Sequence, residues 1–228
     1  MPEPLQPRFT AIADHAVLVE FAESINDAAH SAALQMDRAL AASPFPGFRE
    51  AVPAYVSLLV EFDPLLTDHV AVERHLRHLP TARDDTSATS TLHEVPVCYE
   101  APYAPDLSEV AQRTKLSIEA VISAHTQATY QVYMYGFAPG YAYLGGVPPQ
   151  IRLDRKSAPV RGVPAGSVLI AGPQCLVTTL TMPTGWWIIG RSPARILMGD
   201  AGKPFLFAVG DRIRFRRISA DELGTSDG

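Results

Sequence analysis

The stretch of this sequence best suited to binding chemistry runs from Tyr135 to Pro148. It combines four glycines, two prolines and four aromatic residues directly after a strand-like segment. Glycine adopts φ > 0 at little cost and proline fixes φ, so the pattern predicts a sharp turn. Bare backbone amides can approach a carboxylate or an amide while the rings exclude water. The same composition is typical of a tight barrel corner, and both interpretations stay open on residue types alone.

Three basic side chains could meet an anionic ligand: Arg155, Lys156 and Arg191. Arginine presents a planar fork that suits carboxylate and phosphate groups, whereas lysine is a compact point charge. Each arginine could equally be an outward charge on a strand. Gln174 offers an amide that could bind a ligand amide, and Gly166 offers an accessible backbone donor.

No complete catalytic motif accompanies these residues. There is no Ser-His-Asp or Cys-His set at convincing positions, so we do not expect this chain to hydrolyse a substrate alone. The segment Gly199–Pro204 departs from a Walker A motif, because two residues separate its glycines and a proline replaces the hydroxyl residue. His69, His75 and His78 favour a solvated helix face over a metal site, since no matching ligand motif accompanies them.

Composition excludes several classes of protein. The chain has 228 residues and a formal net charge of −5, which argues against nucleic acid as a ligand. No segment approaches the ~20 apolar residues of a membrane-spanning helix. The first residues lack a secretory signal, so we expect a cytoplasmic protein. Cys98 and Cys175 are expected to be reduced and buried.

Residues 1–80 are predicted to form an α+β domain with the order ββαββα. Its strand and first helix patterns lie at 8–21, 26–42, 48–52 and 55–62. Asn26 is the expected N-cap of the first helix, and Thr67 or Asp68 that of the second. The segment 81–91 has almost no large apolar side chain and is predicted to be a linker.

The remainder of the chain, residues 92–218, is predicted to be a β-barrel or a closed β-sandwich, because short strands alternate with Gly and Pro turns. Two short helices come early in it. Asp106 and Glu109 have capping-box spacing at the first helix, and Ser117 can cap the second. Residues 219–228 are polar and predicted to be a frayed tail.

Five segments of this second domain share their order and their Gly, Pro and aromatic pattern with one known family. They are Gly136–Leu144, Val163–Val168, Gly172–Gln174, Gly185–Arg191 and Gly210–Phe215. The chain thereby resembles the family that contains the B subunit of bacterial 5-oxoprolinase, the Kip-type sporulation kinase inhibitor and proteins labelled allophanate hydrolase subunit 1. Looser motifs extend the resemblance over nearly the whole chain. Gln174–Thr179 and Thr184 depart from the family pattern, which implies altered specificity or lost activity if that region contacts substrate.

The resemblance implies an α+β first domain, a cyclophilin-like β-barrel second domain, and joint action with a C-subunit homologue and an A-subunit homologue. The implied reaction is the ATP-dependent opening of 5-oxoproline to glutamate, with ATP and Mg²⁺ acting at the level of the complex. We assign Arg155 and Arg191 to catalysis. The residues assigned to substrate binding are Gly136, Phe137, Pro139, Gly140, Tyr143, Lys156, Pro164, Gly166, Gln174 and Trp186.

Two other functions stay open: a Kip-type inhibitor of a histidine kinase, and part of a carboxyltransferase-like unit related to urea carboxylase. The partner hypothesis also makes a prediction about surfaces. Tyr141, Tyr143, Trp186 and Trp187 offer more aromatic surface than a monomer of this size needs, so we expect them to anchor the C-subunit homologue.

Overall fold

A computed structural model describes residues 6–79 and 90–225 of the chain. These residues form two compact units that divide between residues 89 and 90. The predicted linker at 81–91 lies almost wholly outside the described residues, so the division into two domains stays a prediction. No helix among the described residues is long and apolar enough to cross a membrane.

The first unit is an antiparallel sheet with the predicted element order ββαββα. Its elements are β1 (Arg8–Ile12), β2 (Ala16–Glu20), α1 (Asp27–Ala42), β3 (Phe48–Ala54), β4 (Ser57–Phe62) and α2 (His69–His78). The strand order is β1-β2-β4-β3. Asn26 caps α1 by accepting the Ala29 N–H at 2.8 Å, and Asp68 caps α2 by accepting the Ala71 N–H at 2.8 Å, so both predicted caps are confirmed. The strand predicted at 55–62 begins later because Tyr55 occupies the turn with φ of 45°.

One face of this sheet buries its side chains against both helices. The apolar residues at alternate strand positions pack against the apolar residues at helical spacing on α1 and α2, as the sequence pattern predicted. The buried cluster contains Val17, Val19, Leu58, Val60 and Phe62 from the strands, and Ala29, Ala33, Met36, Leu40, Val72 and Leu76 from the helices.

The second unit contains a closed barrel, which confirms the predicted β-barrel. Its elements are β5 (Leu92–Cys98), α3 (Leu107–Thr114), α4 (Ile118–Gln127), β6 (Tyr130–Tyr135), β7 (Ala142–Gly145), β8 (Val160–Val163), β9 (Ser167–Ala171), β10 (Gln174–Val177), β11 (Met182–Thr184), β12 (Trp187–Arg191), β13 (Arg212–Ile218) and α5 (Ala220–Thr225). Among the described residues, seven strands close in the order β10-β7-β6-β13-β5-β12-β9. A specifically cyclophilin-like relationship stays a prediction.

Four barrel strands are covered on both faces. Ile170 and Cys175 belong to the interior core, whereas their neighbours Leu169 and Leu176 belong to a second apolar cluster outside the barrel. The short ribbon of β8 and β11 contributes Val163 and Met182 to that outer cluster. Strands buried on both faces read as continuous apolar runs, which is the pattern of Val168–Ala171.

The predicted frayed tail at 219–228 is wrong for its described part. Residues Ala220–Thr225 form α5. Ser219 and Glu222 cap it reciprocally: the Ser219 N–H donates to Glu222 Oε2 at 2.9 Å, and the Glu222 N–H donates to Ser219 Oγ at 3.2 Å. Leu223 is 4% exposed and packs with Cys98 and Ile218. The tail is polar in overall composition, but its buried apolar residue Leu223 anchors the helix.

This docking predicts a measurable contribution to stability. Leu223→Ala should lower the free energy of unfolding by about 2 kcal/mol, because it removes a buried side chain and leaves a cavity. Asp221→Ala, on the exposed side of the same helix, should change it by less than about 0.5 kcal/mol. Urea unfolding followed by tryptophan fluorescence measures both. Equal, small effects would show that α5 is not docked in solution.

Candidate functional site

The predicted binding loop Gly136–Gly140 is a tight turn packed against the protein itself. Its backbone N–H groups at Gly136, Ala138 and Tyr141 donate to carbonyls within residues 136–141. Gly140 has φ of 73°, and a Cβ there would lie 2.7 Å from Leu197 Cδ2. The glycine is therefore required by the fold, and the backbone donors named here are already engaged.

Phe137 is the part of this loop that faces solvent. Its side chain is 73% exposed, and its φ of 72° places a non-glycine residue in the left-handed region. Its ring lies 5.7 Å from that of Tyr141. A large apolar residue held exposed in a strained conformation is a candidate contact for a ligand or a partner.

Of the other aromatic residues near the loop, Tyr141, Tyr143 and Trp186 belong to the outer cluster of the barrel, and Trp187 belongs to the interior core. Tyr141, Trp186 and Trp187 are 4%, 6% and 5% exposed, and Tyr143 is half-buried. Our expectation that these rings form an exposed interface is therefore wrong for the first three. Tyr141 and Trp186 are buried in the cluster to which the β8 and β11 ribbon contributes, and Trp187 is buried in the barrel core; local sequence shows neither arrangement.

Arg155 and Lys156 are neighbours in sequence but differ in environment. The guanidinium of Arg155 is exposed, lies 5.6 Å from the Trp186 ring centre, and makes no ion pair with any described residue. Lys156 Nζ lies 2.5 Å from Asp106 Oδ2, with side-chain exposures of 12% and 15%. Arg155 is thus open to an anion, whereas Lys156 is paired with a part-buried carboxylate.

Asp106 does not cap α3, contrary to the capping-box prediction. No N–H of the helix donates to its side chain. Instead Oδ2 accepts the Lys156 ammonium and the Ile188 N–H, the latter at 2.6 Å. The carboxylate joins three distant segments of the chain, a role that the neighbouring sequence could not reveal.

Arg155 and Lys156 line an open cleft of about 680 Å³ between α3 and the segment before β8. Its lining residues are Asp106, Glu109, Arg113, Leu153, Asp154, Arg155, Lys156, Ser157, Ala158, Val160 and Trp187. The Trp187 ring is flanked by Arg113 at 5.1 Å and Lys156 at 5.3 Å. The cleft therefore combines charged side chains with the ring of Trp187, and this combination suits a small charged molecule.

A second group of predicted residues meets at the corner between β8 and β9. Gly166 has φ of 79°, and a Cβ there would lie 2.5 Å from the Ser192 carbonyl oxygen and 3.1 Å from Arg191 Cδ. The Pro164 carbonyl accepts the Thr178 hydroxyl at 2.8 Å. Arg191 Nε is buried and has no hydrogen-bond partner among the described residues. Arg191 thus carries an unsatisfied donor at a rigid corner.

Thr178 and Thr179 connect this corner to the binding loop. The Thr178 hydroxyl reaches the Pro164 carbonyl, and the Thr179 hydroxyl donates to the Pro139 carbonyl at 2.6 Å. Gln174 is half-buried at the start of β10, where it pairs with Gly145 and Ala171. The segment that departs from the family pattern therefore has clear structural contacts, and its role toward a ligand stays a prediction.

The structure places the predicted site residues in linked groups rather than in one pocket. Trp186 connects two of these groups, since its ring lies beside Arg155 and 6.0 Å from the ring of Tyr143. Tyr143 in turn lies close to Gly136. The cleft with Arg155 and the corner with Arg191 are the two places where a predicted site cation lacks a described acidic partner.

A polar cluster inside the barrel is not among the predicted site residues. His125 is fully buried, with Nδ1 lying 2.8 Å from the Tyr99 hydroxyl oxygen and Nε2 lying 3.6 Å from Cys175 Sγ. Phe215 stacks on its ring at 4.5 Å. Burial lowers the pKa of His125 from 6.5 to about 3 and raises the pKa of the Cys175 thiol. Both groups are neutral and enclosed, so they cannot act as a nucleophile and base.

The chain is similar in sequence and in fold to known proteins. Residues 7–207 match the family model described as carboxyltransferase domain, subdomain C and D. The chain is 38% identical over 223 residues to the B subunit of 5-oxoprolinase from Bacillus subtilis, covering 91% of both proteins. The protein of the crystal structure of TTHA0988 is 36% identical with a TM-score of 0.80, and the match covers 91% of this chain and 40% of that one.

More distant proteins share this fold. The crystal structure of urea carboxylase from Kluyveromyces lactis is similar with a TM-score of 0.76 at 16% identity, over 99% of this chain and 23% of that one. At that identity the likeness concerns the fold alone.

The chain is a carboxyltransferase-domain protein of the subdomain C and D type. It belongs to the family of 5-oxoprolinase B subunits, as the motif pattern indicated.

The packing of Gly140 predicts that its substitution harms the fold rather than only a ligand contact. Gly140→Ala should destabilise by about 3 kcal/mol, since it combines a left-handed φ with a clash against Leu197. Gly162→Ala is a matched control, because Gly162 has φ of 67° and nothing within 4 Å of a Cβ. It should cost about 1 kcal/mol. Equal losses of melting temperature in the two variants would contradict the packing argument.

The buried His125 predicts a pH dependence of stability. The folded pKa lies below the unfolded one, so the contribution is complete above about pH 6.5 and is lost as the pH falls toward 3. Over that window it amounts to about 1.4 kcal/mol per pH unit. His125→Asn should reduce the slope of unfolding free energy against pH, measured by tryptophan fluorescence, whereas His78→Asn should not. An unchanged slope in His125→Asn would mean that His125 is charged in the folded barrel.

Proposed function

We propose that this chain is the B subunit of an ATP-dependent 5-oxoprolinase complex that opens 5-oxo-L-proline to L-glutamate. The observation that carries the proposal is the 38% identity to the Bacillus subtilis protein over 91% of both chains. Fold alone would not support it, because one fold serves many functions. Similarity over nearly the full length of both chains supports a shared role.

The chemistry explains why such a reaction needs ATP. A five-membered lactam is a resonance-stabilised amide and a poor electrophile. Transfer of a phosphoryl group from ATP to the lactam oxygen makes the ring carbon more open to attack by water. The site must bind an anionic substrate and stabilise the charge that develops on the phosphoryl group, away from bulk water.

This chain supplies cations for such a site. Arg155 projects into the cleft without an ion pair to any described residue, and Arg191 carries the unsatisfied Nε at the β8 to β9 corner. We propose that they bind the carboxylate or the phosphoryl oxygens. Lys156 is less suited to a catalytic role because Asp106 already neutralises it.

The chain does not supply a complete catalytic set among its described residues. Cys175 and His125 are enclosed in the barrel core. We therefore propose that an A-subunit homologue and a C-subunit homologue complete the site, and that ATP with Mg²⁺ reacts in the assembled complex. Phe137 replaces the buried tryptophans as the candidate anchor for a partner, and the cytoplasm stays our proposed compartment.

Activity measurements on the reconstituted complex test this proposal. The isolated chain should release no phosphate from ATP in the presence of 5-oxoproline, and the three-component complex should do so. Arg155→Gln in the complex should lower kcat/KM by about 10- to 100-fold, the effect of losing a charged hydrogen-bond donor. Its melting temperature should not change, because Arg155 is exposed.

Arg38→Gln, which removes an exposed arginine on α1, is the control and should keep wild-type turnover. Full activity of the chain alone would refute the need for partners. Wild-type turnover by the Arg155→Gln complex would remove this residue from the site. If no complex turned over 5-oxoproline, the histidine-kinase inhibitor would be the next function to test, by kinase autophosphorylation with the purified chain.

A further inference from the structure

Four arginines on β13 differ in their partners. They are Arg212, Arg214, Arg216 and Arg217. Arg216 Nε lies 2.8 Å from Glu94 Oε1, and Arg217 Nη1 lies 2.8 Å from Glu119 Oε2. Within the described part of the chain, neither Arg212 nor Arg214 pairs with an acid. The first half of the strand thus carries two positive charges without a described counter-charge.

These two arginines share one face of the strand and line one cavity. Residues i and i+2 of a strand point to the same side, and both side chains are exposed while the intervening Ile213 is fully buried. The cavity has a volume of about 210 Å³ and is lined by Ser90, Leu92, Thr129, Arg212 and Arg214. It lies apart from the cleft described above, with which it shares no lining residue.

Glu94 is not among the residues that line this cavity. It lies beside Arg214 in the register of β5 and β13, but its carboxylate is engaged by Arg216. The neighbours of Arg212 are Leu92 on β5 and Gln131 on β6, neither of which is charged. No acidic side chain among the residues that line the cavity therefore competes with an incoming anion for the two guanidinium groups.

The backbone around the cavity is held rigidly by Asp211, which is 7% exposed. Its Oδ1 accepts the Thr91 N–H at 3.0 Å, and its Oδ2 accepts the Ala208 N–H and His93 Nε2–H, each at 2.8 Å. Strand alternation places Asp211 on the face opposite Arg212. The carboxylate thus fixes the two chain segments that carry the cavity while its own charge is satisfied elsewhere.

The donors at the cavity match a tetrahedral oxyanion. Arg214 Nε donates to Thr129 Oγ1 at 3.3 Å, which leaves the threonine hydroxyl hydrogen able to donate to a ligand. The Ser90 hydroxyl instead donates to the Gly210 carbonyl at 3.1 Å and closes one side. Two guanidinium forks and one hydroxyl are the groups that bind phosphate oxygens well.

We propose that Arg212, Arg214 and Thr129 form a phosphate-binding site on the barrel, separate from the cleft with Arg155. The cavity accommodates one phosphate group, and its opening to solvent lets that group be inorganic phosphate or the terminal phosphate of a nucleotide. The inference rests on the charges and contacts of β13 and does not depend on the proposed catalytic function.

Calorimetric titration of the full chain with inorganic phosphate, and separately with ATP, tests the site. Arg212→Gln combined with Arg214→Gln should weaken binding by about 10- to 100-fold, the loss expected for charged hydrogen bonds. Arg217→Gln combined with Arg38→Gln removes the same charge at exposed positions that do not line the cavity, keeps the Arg216–Glu94 pair, and should leave binding within about twofold. Thr129→Val should weaken binding to a smaller extent.

Melting temperatures of all variants without phosphate establish that they are folded. Phosphate should raise the melting temperature of the wild type and of the Arg38/Arg217 variant, and not that of the Arg212/Arg214 variant. Binding of ATP but not of inorganic phosphate would identify a nucleotide as the source of the group. Equal weakening in both double variants, or no binding of either ligand at about 1 mM, would overturn the proposal. Neither result would bear on turnover of 5-oxoproline by the complex.

Discussion

The arrangement of the barrel unit depends on one carboxylate oxygen. Asp106 Oδ2 receives the Lys156 ammonium at 2.5 Å and the Ile188 N–H at 2.6 Å. This contact joins the start of α3 to β12 and to the segment that forms the cleft. Removing one partner from a fully buried ion pair costs about 3–5 kcal/mol, because a charge is left without compensation, and this part-buried pair should cost less. The position of Lys156 over the Trp187 ring, and thus the cleft wall, depends on it.

A second constraint is that several barrel strands are buried on both faces. The interior holds the neutral cluster around His125, and the outer face of β7, β9, β10 and β12 holds Tyr141, Trp186 and their apolar neighbours. A strand packed on both sides has little freedom to place polar groups. The polar chemistry of the unit therefore lies at strand ends and in turns, where Arg155, Arg191 and the 136–140 loop are found.

The cations of the barrel unit differ in whether they form an ion pair within the fold. Lys156 is neutralised within the fold, and Arg216 and Arg217 pair with surface acids. The cations without a described acidic partner include Arg155 at the cleft, Arg191 at the β8 to β9 corner, and Arg212 and Arg214 on the first half of β13. The enclosed thiol of Cys175 supplies no nucleophile. The anion-binding positions that we propose, and the lack of a complete catalytic set among the described residues, support our proposal of a component that acts with other chains.

Local sequence determined the elements whose signals are local. The order ββαββα, the caps at Asn26, Asp68 and Ser117, and the family motifs were all predictable, because each depends on residues within a few positions of one another. Only the tertiary structure decided which partner Asp106 binds 50 and 82 residues away, that Trp186 and Trp187 are buried, and that Leu223 anchors α5. It also decided which arginines are paired. These outcomes depend on barrel closure, which brings together side chains that no sequence spacing relates.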